Sequence, residues 1–92
     1  MKYIVETCTA DEEIISVTVS CRSDASRDYL FRKCAAGMAS ELYKRELISD
    51  ATEWQWDLPN IWRNGAVGAL WCSKPYYNCT IRREDVDCYI AC

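Results

Sequence analysis

Histidine is absent from this 92-residue chain. That removes the one side chain whose ordinary pKa lies near neutrality, and with it the usual general base and a common metal ligand. Glycine and proline are scarce, at three and two residues, so no flexible linker or low-complexity tract is visible. No glycine-rich phosphate loop is present either. Gly65-Ala66-Val67-Gly68 lacks both the lysine and the strand–loop–helix setting that such a loop requires. No apolar run approaches the ~20 residues of a membrane span. Met1-Lys2-Tyr3-Ile4-Val5-Glu6-Thr7 begins as a strand, without the charged and then apolar segments of an export signal. Either the chain is a mature fragment or it lives where thiols stay reduced, and the cytoplasm is the expected compartment.

What the chain does have is seven cysteines, four tryptophans and a half-apolar composition. The length makes residues 1–92 a single domain that hides roughly two-thirds of its unfolded surface. The net charge is −3. Acids cluster at Asp11-Glu12-Glu13 and at Glu84, Asp85 and Asp87, while bases are spread through Arg22, Arg27, Arg32, Lys33, Lys44, Arg45, Arg82 and Arg83. This balance argues against bulk attraction to nucleic acid or anionic membrane and leaves a local basic face open.

The periodicity predicts an α+β domain in ββαβββ order, an antiparallel sheet with one long helix packed on one face. Residues 2–8 and 13–21 read as a hairpin. Ile15, Val17, Val19 and Cys21 share one side, and Ser16, Thr18 and Ser20 the other, with Ile14 the one apolar exception. Ser23-Asp24 is the expected N-cap of a helix over about 25–48. Its apolar stripe holds Leu30, Phe31, Cys34, Ala35, Met38 and Leu42. Gly37, at the edge of that stripe, is expected to mark close packing against a strand. Residues 50–63, with Trp54, Trp56 and Trp62 around Pro59, read as a loop capping the core. Asn64-Gly65 is a turn signal. Residues 66–72 and 76–82 read as strands joined by Ser73-Lys74-Pro75. A last strand is expected at 86–92, with a short helix at 84–91 as the rival.

The cysteines admit several readings. A disulfide framework is open, and the spacing alone selects no pairing. Zinc needs paired ligands, and only Cys88 and Cys92 stand close, some 13 Å apart if they lie on one strand. No Cys-x-x-Cys or histidine base supports thiol catalysis. The favoured reading is cysteine as a small buried hydrophobe. Cys21 continues the row of Ile15, Val17 and Val19, Cys34 lies between Leu30 and Met38, and Cys72 and Cys79 fall in register with Leu70 and Ile81. No metal or cofactor is expected.

With paired carboxylates only in turn clusters and no activated nucleophile, the expectation is a non-enzyme that works by surface contact. Two groups of residues are candidates for that contact. Arg22, Arg27, Arg32, Lys33 and Lys44 lie on or near the polar side of the helix, suited to phosphates or an acidic protein. Trp54, Trp56 and Trp62 form the aromatic group, suited to an interaction hot spot. Both also have plain readings, as a solvated helix face and as a core lid. An exported disulfide-stapled domain and a small nucleic-acid-binding domain remain alternatives.

In its small size, acidic balance, lack of a catalytic motif and aromatic segment, the chain resembles small phage-encoded anti-CRISPR proteins, in particular inhibitors of the type I-F surveillance complex. The resemblance implies an inhibitor that contacts Cas protein subunits, and also the guide-RNA backbone, and blocks target-DNA binding. It implies no small-molecule substrate and no membrane partner. Asp11, Glu12 and Glu13 would then suit a lysine-rich DNA channel, and the basic helix face the guide backbone.

Overall fold

The computed structural model describes residues 1–49, 52–57, 66–73 and 75–84. The elements are β1 (Lys2–Cys8), β2 (Ile14–Ser20), α1 (Arg27–Lys44), β3 (Gln55–Asp57), β4 (Ala66–Ser73) and β5 (Tyr76–Arg83). The strands form one sheet in the order β2-β1-β5-β4-β3, with every neighbouring pair antiparallel. Among the described residues the fold is thus α+β, a five-stranded antiparallel sheet and one helix, as the periodicity led us to expect.

The alternation in 14–20 is obeyed. Ile15 and Val19 are buried and Val17 half-buried, while Ile14, Ser16, Thr18 and Ser20 are exposed. Pairing places Thr7 opposite Ile15, Val5 opposite Val17 and Tyr3 opposite Val19, so all six share the side on which the helix lies. The loop between β1 and β2 closes with Thr9 N–H donating to Glu13 C=O at 2.9 Å, and Glu12 takes a positive φ of 63°. This is the three-residue hairpin loop whose last position favours glycine.

The helix begins later than the sequence suggested. Ser26, not Ser23-Asp24, is the N-cap, and its Oγ accepts from the Tyr29 N–H at 3.1 Å. Asp24 instead takes the Arg22 guanidinium at 3.1 Å. The helix also ends early, at Lys44 rather than near 48. Glu46 adopts φ 61°, Glu46 N–H donates to Tyr43 C=O and Leu47 N–H to Leu42 C=O, both at 2.9 Å. That pair of bonds is a Schellman end built without glycine. It turns the chain so that Ile48 becomes buried.

Phe31, Cys34, Met38 and Leu42 lie on one helix stripe and meet Val5, Ile15, Val19, Leu70, Cys79 and Ile81 from the sheet. Each large apolar side chain buried this way contributes about 1.5–3 kcal/mol before entropy is counted. Gly37 does sit against a strand, since a Cβ there would lie 3.1 Å from Val19 Cγ2. Across the other face of the sheet, Arg82 Nε on β5 reaches Glu6 Oε1 on β1 at 2.9 Å, both largely shielded.

One strand was not legible. Gln55–Asp57, inside the segment expected to be a covering loop, pairs with β4, setting Trp56 opposite Leu70. It stands first after the helix, ahead of β4, while the last strand expected at 86–92 lies outside the described residues, as do Trp62, Asn64-Gly65, Cys88 and Cys92. Strands β4 and β5 each run one residue beyond the expected bounds, and Val67 is an extra residue between the pairs Ala66–Arg82 and Gly68–Ile81.

Candidate interaction surface

The spacing that buries Phe31, Cys34, Met38 and Leu42 sends another row the opposite way. Tyr29, Lys33, Ala36, Ser40 and Tyr43 recur at intervals of four and three, and all five are exposed. Tyr29 keeps 50% and Tyr43 55% of its surface in solvent. The two rings stand about 21 Å apart along the helix at 1.5 Å of rise per residue. Lys33 Nζ lies 5.7 Å from the Tyr29 ring centre, at the outer limit of a cation–π contact. An open depression of about 350 Å³ at the start of the helix is lined by Arg22, Asp24, Ala25, Ser26 and Tyr29.

The basic candidates are exposed, and most have acidic neighbours. Arg32 pairs with Asp28 at 3.0 Å, Lys44 with Glu41 at 3.8 Å and Arg22 with Asp24 at 3.1 Å. Lys33 Nζ donates to Ser20 C=O at 3.0 Å. Arg27 is exposed at the first helical position. Exposed pairs of this kind contribute about 0–1 kcal/mol each, so a partner's carboxylate or phosphate can displace them at little expense. Arg45, which the candidate set did not include, joins Glu41 at 3.1 Å and Glu13 at 2.8 Å. Hydrogen bonds to Glu41 and then Glu13 raise its pKa further above the ordinary guanidinium value. Lys33 and Arg45 therefore tie the helix to the two ends of β2, and α1 runs antiparallel to that strand.

The tryptophans divide. Trp54 is half-buried against the core, its Nε1 buried with no hydrogen-bond partner among the described residues. Trp56 stacks on Phe31 with ring centres 4.4 Å apart and planes 14° off parallel, and still leaves 41% of its surface exposed. It closes one end of the core while presenting a ring edge to solvent, so the lid and contact readings both apply to it.

Cys21, Cys34, Cys72 and Cys79 are buried and not bonded to one another. Burial pushes the Cys34 and Cys79 thiols up to about 12, and raises Cys72 as well. Thiols held neutral in this way are poor nucleophiles and poor metal ligands. Cys72 Sγ donates to Pro75 C=O at 3.1 Å, bracing the turn between β4 and β5. Among the described residues, no three Cys, Asp or Glu side chains are grouped so as to hold a metal ion, and no helix is long and apolar enough to cross a membrane.

The sequence reading missed Tyr29 and Tyr43. Their signal was present in the same periodicity, as a second row at intervals of four and three on the side of the helix opposite the buried stripe. Comparison of the chain with protein families, with curated proteins and with solved structures finds no match in any of the three.

Proposed function

We propose that this protein acts by contact rather than by chemistry, through the outer side of α1, and that its target is the crRNA-guided type I-F surveillance complex of a bacterial cell. The observation that carries the contact reading is the row with a half-exposed tyrosine at each end, Tyr29 and Tyr43, flanked by Arg32, Lys33 and Lys44. Tyrosine and arginine are over-represented among the residues that dominate binding energy, and a row on one helix presents them on a rigid support. The choice of target rests on the resemblance to small anti-CRISPR inhibitors. In this reading the tyrosines seat on Cas subunits, the basic residues reach guide backbone or acidic side chains, and the bound inhibitor keeps target DNA from its channel.

The test is competition. Purified type I-F complex is mixed with labelled target DNA and rising amounts of this protein. Saturable loss of DNA binding with no change to the DNA or the guide supports the proposal. Undiminished DNA binding at saturating protein overturns the inhibitory role. Direct, steeply salt-dependent binding of the protein to DNA alone would favour the nucleic-acid-binding alternative instead.

A further inference from the structure

The free edge of β2 is built to pair. At the start of the hairpin, Met1 and Cys21 exchange both of their backbone bonds, Met1 N to Cys21 C=O at 2.8 Å and Cys21 N to Met1 C=O at 2.9 Å. Antiparallel pairs alternate between bonded and non-bonded types. Tyr3–Val19, Val5–Val17 and Thr7–Ile15 are therefore bonded pairs, and the N–H and C=O groups of Ile14, Ser16, Thr18 and Ser20 point away from β1. Lys33 confirms the phase, because its Nζ meets the outward C=O of Ser20. Among the described residues, no strand lies beyond β2.

Exposed edges are usually blunted by a charge, a proline or a bulge. Ile14–Ser20 has none of the three. It contains no ionisable residue and no proline, and its seven-residue register with β1 is unbroken. Charge lies only beyond its ends, and with opposite sign. Asp11, Glu12 and Glu13 precede the strand with Arg45 paired to Glu13, a net negative end, while Arg22, paired to Asp24, follows it and Lys33 reaches its last residue, a net positive end.

We infer that the β2 edge binds a second copy of this chain, antiparallel about a two-fold axis through Val17, joining the two five-stranded sheets. In that register Ser16 of each copy faces Thr18 of the other, and Ile14 faces Ser20. Every outward group of the strand gains a partner. The acidic end of each copy then meets the basic end of the other. Parallel pairing would instead set acid on acid. Ile14 N–H replaces Lys33 on the Ser20 carbonyl, which frees the ammonium for the partner's acidic loop. Neutral, self-complementary pairing groups with opposite charge at the two ends favour a second copy over an unrelated strand.

The test uses the intact chain in sedimentation equilibrium across a concentration series, with wild type against Thr18→Pro. The outward N–H of Thr18 takes no part in the β1 ladder, so proline is tolerated within the monomer and blocks only the edge. The expected result is a wild-type monomer–dimer equilibrium, weakened about tenfold or more by Thr18→Pro, and weakened also by raised salt. A second measurement holds if that variant fails to fold. In wild type, amide exchange at Ser16 and Thr18 should slow as protein concentration rises, while Val17 and Val19 stay protected throughout. A monomer at every concentration, a dimer indifferent to Thr18→Pro in a folded variant, or concentration-independent exchange at Ser16 and Thr18 would overturn the inference.

Discussion

Gly68 occupies the space that the ring of Phe31 requires: a Cβ added to Gly68 would stand 2.2 Å from Phe31 Cε1 and 2.6 Å from Cζ. Phe31 cannot retreat, because Trp56 is stacked 4.4 Å away and the ring is almost wholly buried. The glycine beside the Val67 bulge is what lets α1 approach β4.

Gly68→Ala is therefore expected to lower stability by about 2–3 kcal/mol, the cost of overpacking a rigid core. In denaturant titrations, Gly68→Ala combined with Phe31→Leu should be less destabilised than the two changes summed, because the smaller side chain vacates the contested space. Additive effects would show that the two residues do not compete.

Glu46 holds a left-handed conformation at the end of α1, where glycine has no side-chain penalty. Glu46→Gly should stabilise the fold by about 0.5–1 kcal/mol and raise Tm by roughly 2–8 °C. A lower Tm would mean that the Glu46 side chain contributes more than its backbone strain removes.

Burial holds the Cys34 and Cys79 thiols neutral up to about 12, against an ordinary value of 9.0. The unfolded chain thus loses these protons first. Each thiol's contribution to stability is whole below pH 9 and falls as pH rises between the two values, by about 1.4 kcal/mol per pH unit. Comparing wild type with Cys34→Ala from pH 8 to 11 isolates one thiol, and the variant should decline less steeply. Equal slopes would show that Cys34 ionises as easily folded as unfolded.

Arg32 and Lys33 are exposed: Arg32 pairs with Asp28, and Lys33 donates to Ser20 C=O and lies over the Tyr29 ring. Arg32→Glu with Lys33→Glu should leave the far-UV spectrum unchanged and lower stability by no more than about 1–2 kcal/mol, while strongly weakening capture of the surveillance complex. Unfolding of the double variant would contradict the solvent-facing placement of the helix.

How much of this was legible follows from where the signals lay. The β1–β2 hairpin and the stripe of Phe31, Cys34, Met38 and Leu42 were readable, because one solvated side and one buried side impose periods of 2 and 3.6. Burial of Cys21, Cys34, Cys72 and Cys79 followed from the same register. The strand Gln55–Asp57 was not readable, since three residues carry too little alternation and indoles suit a strand and a lid equally. The N-cap was expected at Ser23-Asp24 and lies at Ser26, since all three are capping residue types and only tertiary packing chooses among them. The end of α1 was overrun because its left-handed position holds Glu46 where glycine would have marked it. Of the candidate contact residues, the helical bases were placed correctly in solvent, but the salt bridges that occupy them depend on rotamers that a sequence does not show.

The most direct measurement of the contact account is the affinity of immobilised type I-F surveillance complex for wild type and for Tyr29→Ala/Tyr43→Ala. Both rings are half in solvent, so the variant should keep the wild-type Tm within about 2 °C, the shift expected of a surface change well under 1 kcal/mol. The account predicts saturable binding by wild type and a loss of about a hundredfold or more in the variant, as two hot-spot truncations would give. No binding by folded wild type, or equal binding by both proteins, would contradict it.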